Sequence, residues 1–305
     1  MTNVAARSAR SQWARRLRRL LEPRFLLGLG AGISLLLLLG SFADWREVLA
    51  IAAQLPPALL LVSAAGHLFG AVCRGARWLL MLHGAGVRVA ARPALAASFG
   101  SDLLGPLPAS PFVASYVLHR NGAASATQTI PVVLAGLWAE VVTVIGGTAV
   151  VPGAAPAVVR ALAAALCLVA LVGALLLQLP LVRRRFGGVA RAFGPRTLAP
   201  AVVLTALPLA VGASVTAAVA ASLGYPQLTA PNVWAASGTV MALALASPLP
   251  FDLGVVEGGQ LLAYGWVGVP AAGALAIALI GRMWSATIGL LIAGAVTWVL
   301  REDLG

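Results

Sequence analysis

Long apolar runs, punctuated by arginine, proline and glycine, dominate the chain. Six of them, at about 25–43, 56–82, 124–150, 155–181, 197–222 and 270–300, are long enough to cross a bilayer as single helices. Two further apolar regions, about 93–119 and 229–268, are broken near their middles. The first carries Gly105-Pro106-Leu107-Pro108 with Pro111, and the second Pro248-Leu249-Pro250 with Gly254. Proline removes a backbone donor and clashes with the preceding turn, so a straight helix through either point is disfavoured. Each region therefore reads as a pair of short helices, either a re-entrant hairpin or a broken span. The pattern predicts an all-α integral membrane protein with about six full transmembrane helices plus two broken or re-entrant helical hairpins.

The arginines test this reading. Seven lie in residues 1–24, ahead of the first apolar run. That run ends in Asp44-Trp45-Arg46 rather than in a small-residue cleavage site, which predicts an uncleaved first span behind a basic cytoplasmic tail. If both hairpins return to the side they enter from, Arg88, Arg92, Arg120, the cluster Arg183 to Arg196, and Arg301 all fall on the cytoplasmic side, as the positive-inside rule requires. A full crossing by either hairpin would split them. The hairpins then enter from opposite faces, a pseudo-inverted repeat of the kind that places a substrate near the membrane midplane. The predicted organisation is a tail (1–24) and one transmembrane domain (25–305), with halves of about 25–182 and 197–300. Both termini are expected in the cytoplasm, and the protein in the cell inner membrane. Clustered arginines in the tail also suit an anionic lipid surface.

Composition narrows the class further. The chain is 305 residues long, 60% hydrophobic and 10% charged, with a mean hydropathy of +0.95 and a net charge of +12. Soluble domains carry about 25% charged residues. All the basic residues are arginines, set mostly between spans, which favours membrane topology over nucleic-acid binding. Cys73 and Cys167 lie in apolar segments without ligand-like spacing, so packed thiols are expected. No nucleophile elbow, phosphate loop or dinucleotide fingerprint is present. Catalysis and cofactors are accordingly not expected.

Polar chemistry in such a chain falls on few residues. Arg74, Arg77, Asp102, Glu140, Asp252, Glu257 and Arg282 lie within or near membrane depth, where a charge costs about 2.5–3.5 kcal/mol on insertion scales and usually marks a site or a buried pair. Glu257 with Arg282 reads either as a headgroup or proton site or as an ion pair fixing two helices. Arg77, beside Trp78, reads as a phosphate contact or as an interfacial anchor. Asp102 and Asp252 flank the two breaks and suit helix capping or headgroup contact. Glu140, in mid-span, needs a buried partner or a polar cavity. His67 and His83 read as packing and interfacial residues, and no metal-ligand spacing appears.

The run Pro250-Phe251-Asp252-Leu253-Gly254-Val255-Val256-Glu257, then Gly268-Val269-Pro270, then Arg282, resembles the C-terminal signature of the lysylphosphatidylglycerol synthase transmembrane (flippase-like) family. Arg77-Trp78 and Leu104 to Gly122 are similar to its first half. The chain departs from that pattern at Pro108 to Ser115, which lacks a charged pair, and at Asp252, where a glycine is usual. The resemblance implies a stand-alone member, without the synthase domain, that moves lipid between leaflets. A membrane lipid substrate would meet Glu257, Asp252 and Arg282 on one side of a polar cavity and Arg77, Asp102 and Glu140 on the other. The N-terminus of the second hairpin's half-helix is expected to hold phosphate. The alternative is a non-transporting subunit that presents lipid to a separate glycosyl- or aminoacyl-transferase.

Overall fold

Pro57 and Pro195 each start a 28-residue helix, with proline in the first turn, where its missing N–H has no intrahelical role. The two helices are the centre of the molecule. In a computed structural model, which describes residues 23–103, 110–120, 122–152, 154–246 and 254–299, the chain is helical throughout its ordered elements. In chain order these are α1 (Pro23–Ala43), α2 (Trp45–Ala52), α3 (Pro57–Gly84), α4 (Ala91–Leu103), α5 (Ser110–Arg120), α6 (Ala126–Val150) and α7 (Ala157–Leu176). They continue with α8 (Pro180–Arg185), α9 (Gly187–Ala192), α10 (Pro195–Ser222), α11 (Ala230–Ala246), α12 (Val255–Gly265) and α13 (Ala271–Val299). Among the described residues five helices, α3, α6, α7, α10 and α13, are long and apolar enough to cross a membrane. The protein is a multi-pass, all-helical membrane protein.

Both interrupted regions are helical on either side of the break, as α4 and α5 and as α11 and α12. The proline-rich residues between them lie outside the described residues. The short helices α2, α8 and α9 were not anticipated from hydropathy. Asp44 accepts a hydrogen bond from the Arg46 N–H (3.0 Å) and opens α2, so the polar triplet after the first apolar run is a helix start. Gln178 donates to the carbonyls of Ala190 and Phe193, tying α9 back to the end of α7.

The two halves repeat one plan. α3 and α10 are equal in length, as are α5 and α12 at 11 residues each, and α1 and α7 are 21 and 20 residues long. Packing repeats as well. α6 packs on α11 as α13 packs on α4, α10 packs on α6 as α3 packs on α13, and α7 leans on α6 as α1 leans on α13. The equivalent helices α3 and α10 run antiparallel. Gly66, early in α3, lies against Val211 and Val215 late in α10; Gly70 meets Pro208; and Gly84 at the end of α3 meets Arg196 and Thr197 at the start of α10. The repeats are therefore inverted about a point near Gly70 and Pro208.

Burial follows this symmetry. One apolar core gathers Trp78, Met81, Leu82, Leu118 and Val132, around the end of α3 and the start of α6. The other gathers Val48, Leu228, Tyr264, Leu275 and Ile277, around the end of α10 and the start of α13. Along α7 the large apolar side chains Val158, Leu162, Val169 and Leu175 are exposed, as a helix facing hydrocarbon should be.

Candidate functional site

Glu257 is the most deeply placed charge among the described residues, with its side chain 1% exposed. It stands in the first turn of α12, and one carboxylate oxygen (Oε2) reaches back to accept the N–H of Gly254 at 2.8 Å, the return half of a capping box. Gly254 has φ +78, a left-handed conformation that glycine adopts without strain, and Leu35 of α1 covers it. The second oxygen, Oε1, faces Arg282 of α13, whose Nη1 stands 3.4 Å away. That is an ion pair, but the oxygen accepts no hydrogen bond among the described residues. One turn along α12, the buried Oε1 of Gln260 also lacks a partner. The Arg282 side chain is 29% exposed, so the pair couples a sealed carboxylate to a partly exposed arginine.

The second charged cluster lies elsewhere. Arg77 of α3 pairs with Glu140 of α6 through Nη2 and Oε1 at 2.5 Å, and its Nη1 donates to Thr205 Oγ1 of α10 at 2.8 Å. Thr205 in turn donates to the carbonyl of Ala201 (2.7 Å), which leaves its oxygen to accept from the arginine. Three helices are joined by one guanidinium. The fork of arginine suits such a junction better than a point charge would. An interfacial anchor at Arg77-Trp78 is corrected by this geometry: Arg77 turns inward to Glu140, and Trp78 is buried. Glu140 has the partner its mid-span position called for.

The half-helix N-terminus of α12 is likewise corrected. Its free amide at Gly254 is taken by the chain's own Glu257 carboxylate, so an added phosphate there would meet a negative charge. Asp102 lies at the end of α4 beside the first break, and Asp252 falls outside the described residues. The sequence reading brought Glu257 to Arg282 and supplied both Arg77 and Glu140, but it missed Thr205, Ser285 and the role of His67. Hydroxyls are common in membrane helices, and nothing in the local sequence marks these two.

Internal symmetry makes these residues comparable. Aligning α3 and α10 on their first residues pairs His67 with Thr205 and Arg77 with Val215; aligning α6 and α13 pairs Glu140 with Ser285 and Leu137 with Arg282. Aligning α5 and α12 pairs Phe112 with Glu257. The counterparts of the Thr205 and Glu140 positions thus meet as well: His67 Nε2 is 2.8 Å from Ser285 Oγ. The His67 Nδ1–H donates to the Ser63 carbonyl (2.8 Å), so in the neutral ring Nε2 accepts from the serine. The counterparts of Glu257 and Arg282 are apolar, so the charged pair belongs to one repeat alone.

Among the described residues no three histidine, cysteine or acidic side chains gather as metal ligands would. A family model described as the lysylphosphatidylglycerol synthase TM region matches residues 25–294. No curated protein matches the chain.

Proposed function

Because the chain belongs to the lysylphosphatidylglycerol synthase transmembrane-region family, we propose that it is a flippase-type translocase, moving a phospholipid or other amphiphilic lipid between leaflets. The matched part is the membrane region of that family, which fits a protein that handles lipid without chemical catalysis. One observation carries the reading. A carboxylate sealed to 1% exposure keeps an oxygen without a hydrogen bond, beside a partly exposed arginine. A structural pair would satisfy both oxygens, since an unmade bond to a buried charge costs several kcal/mol.

The chemistry defines the ligand's two ends. The Arg282 guanidinium offers donors to a headgroup phosphate. Glu257 Oε1 and Gln260 Oε1 offer acceptors to a headgroup hydroxyl or ammonium. Asp252 and Asp102, beside the two breaks, complete the polar lining in this reading. The hairpins α4–α5 and α11–α12 are re-entrant, entering from opposite faces, and the lipid tails stay in the bilayer. Arg77 and Glu140 hold α3, α6 and α10 together beside the path. Both termini face the cytoplasm at the inner membrane, and the arginines of residues 1–24 rest on anionic lipid.

A leaflet-specific lipid assay in proteoliposomes tests this, with Glu257→Gln and Arg282→Ala. Both are expected to stop transbilayer movement; unchanged rates would remove the site. A second reading, a subunit that presents lipid to a separate glycosyl- or aminoacyl-transferase, is favoured by the one-sidedness of the charge: Phe112 and Leu137 stand where an alternating carrier would repeat the pair. Binding of lipid without flux, together with co-purification of a transferase, would select it.

A further inference from the structure

We infer that lipid reaches the Glu257–Arg282 pair sideways, through the seam between α3 and α13, and that the hydrogen bond between His67 and Ser285 is the latch of that entrance. The inference rests on the reading of Glu257 and Arg282 as a headgroup site, and it names the way in.

The argument begins from the symmetry. Two seams are equivalent in the inverted repeat, α6 against α10 and α13 against α3. The first is closed by charge: Arg77 binds Glu140 and Thr205 together, and Thr205 is buried. In the second, the position of Arg77 is taken by Val215 of α10, which packs against Gly66. His67 and Ser285 are left to bond each other, one hydrogen bond between two uncharged groups, with Ser285 exposed. A bilayer has no competing donors at that depth, so such a bond forms readily, yet it is the weaker of the two closures.

What lies around the latch is suited to a phosphate. Arg282 is three residues before Ser285 on α13, so both project on the same helix face. Arg74 follows His67 by two turns on α3 and is exposed; its Nη1 is 3.5 Å from where a side chain would begin on Gly70, a position that faces Pro208 of α10. A lipid phosphate parting the seam beside Ser285 would meet the Arg282 guanidinium on the same face of α13. Met283 and Leu68 are exposed beside the latch, apolar flanks of the kind acyl chains follow. The α6–α10 seam offers Leu137 in place of Arg282 and Phe112 in place of Glu257.

Cross-linking tests the entrance separately from transport. In a Cys73→Ala, Cys167→Ala background, the pair His67→Cys, Ser285→Cys is joined by a short bis-methanethiosulfonate reagent that reducing agent releases. The probe is phosphatidylglycerol carrying a diazirine on its headgroup, in phosphatidylcholine vesicles, with labelled peptides mapped by mass spectrometry. Labelling of α12 and the Arg282 segment of α13 is expected in the unlinked protein, lost on linking and regained on reduction. A control link between Gly66→Cys and Val215→Cys, which fastens α3 to α10, is expected to leave labelling intact. Ser285→Ala, which only opens the latch, is expected to speed it. Labelling that survives the His67–Ser285 link, labelling that the control link abolishes equally, or none at α12 and α13 at all overturns the entrance. If labelling obeys the latch while no lipid changes leaflet, the entrance stands and the translocase reading falls.

Discussion

On the α6 side of the bundle, Arg77 holds Thr205 and Glu140; on the α13 side, the corresponding His67 and Ser285 hold each other. The positions match by repeat, but the chemistry does not. Close by, the second repeat places Glu257 and Arg282 where the first has Phe112 and Leu137. One repeat therefore keeps its charge as a joint between helices, and the other keeps its charge beside a seam crossed by the neutral His67–Ser285 bond. Symmetry of backbone with asymmetry of charge is what a membrane protein needs if one side is to stay shut while the other opens.

The comparison can be broken most severely at Arg282. Arg282→Ala leaves Glu257 buried without its cation, and a loss of about 3–5 kcal/mol is expected in detergent unfolding. Adding Glu257→Gln should recover most of that stability and none of the lipid movement. A smaller loss, about 1.5–3 kcal/mol, is expected for Arg77→Ala, since Glu140 is 29% exposed and partly solvated. A double-mutant cycle with Glu140→Gln should show the coupling, while lipid labelling of α13 persists.

The next test sharpens the contrast by erasing it. Val215→Arg with Ser285→Glu writes the charge set of the first repeat into the second, and is expected to add about 1 kcal/mol of stability and to close the seam to the lipid probe. Either change alone should destabilise. The smallest effect is expected from His67→Ala, about 0.6 kcal/mol, the average for a hydrogen bond between membrane helices, with faster lipid labelling as the readout.

Much of this architecture was legible in the chain. Five membrane-length helices, α3, α6, α7, α10 and α13, lie close to where the apolar runs put them, and α1 follows the run at 25–43, because hydrocarbon forces every backbone group into a helix. Glu257 and Arg282 stood out for the same reason: few charges occur at such depth. Less legible were Arg77, whose partner Glu140 is 63 residues away, and the two hydroxyl groups at Thr205 and Ser285. A serine in a membrane helix looks alike whether it faces its own backbone or a histidine from another helix.

Hydropathy and proline spacing by themselves determined the class, the long helices and the candidate charges, since those depend on local burial and on backbone donors. Pairing was decided only by the tertiary structure. The antiparallel packing of α3 on α10 sets which positions become equivalent, turns Arg77 inward to Glu140, and brings His67 to Ser285 from 218 residues away. It also gives the N-terminus of α12 to the chain's own Glu257. Contacts of that separation depend on the path of the chain through three dimensions, and local pattern carries no record of it.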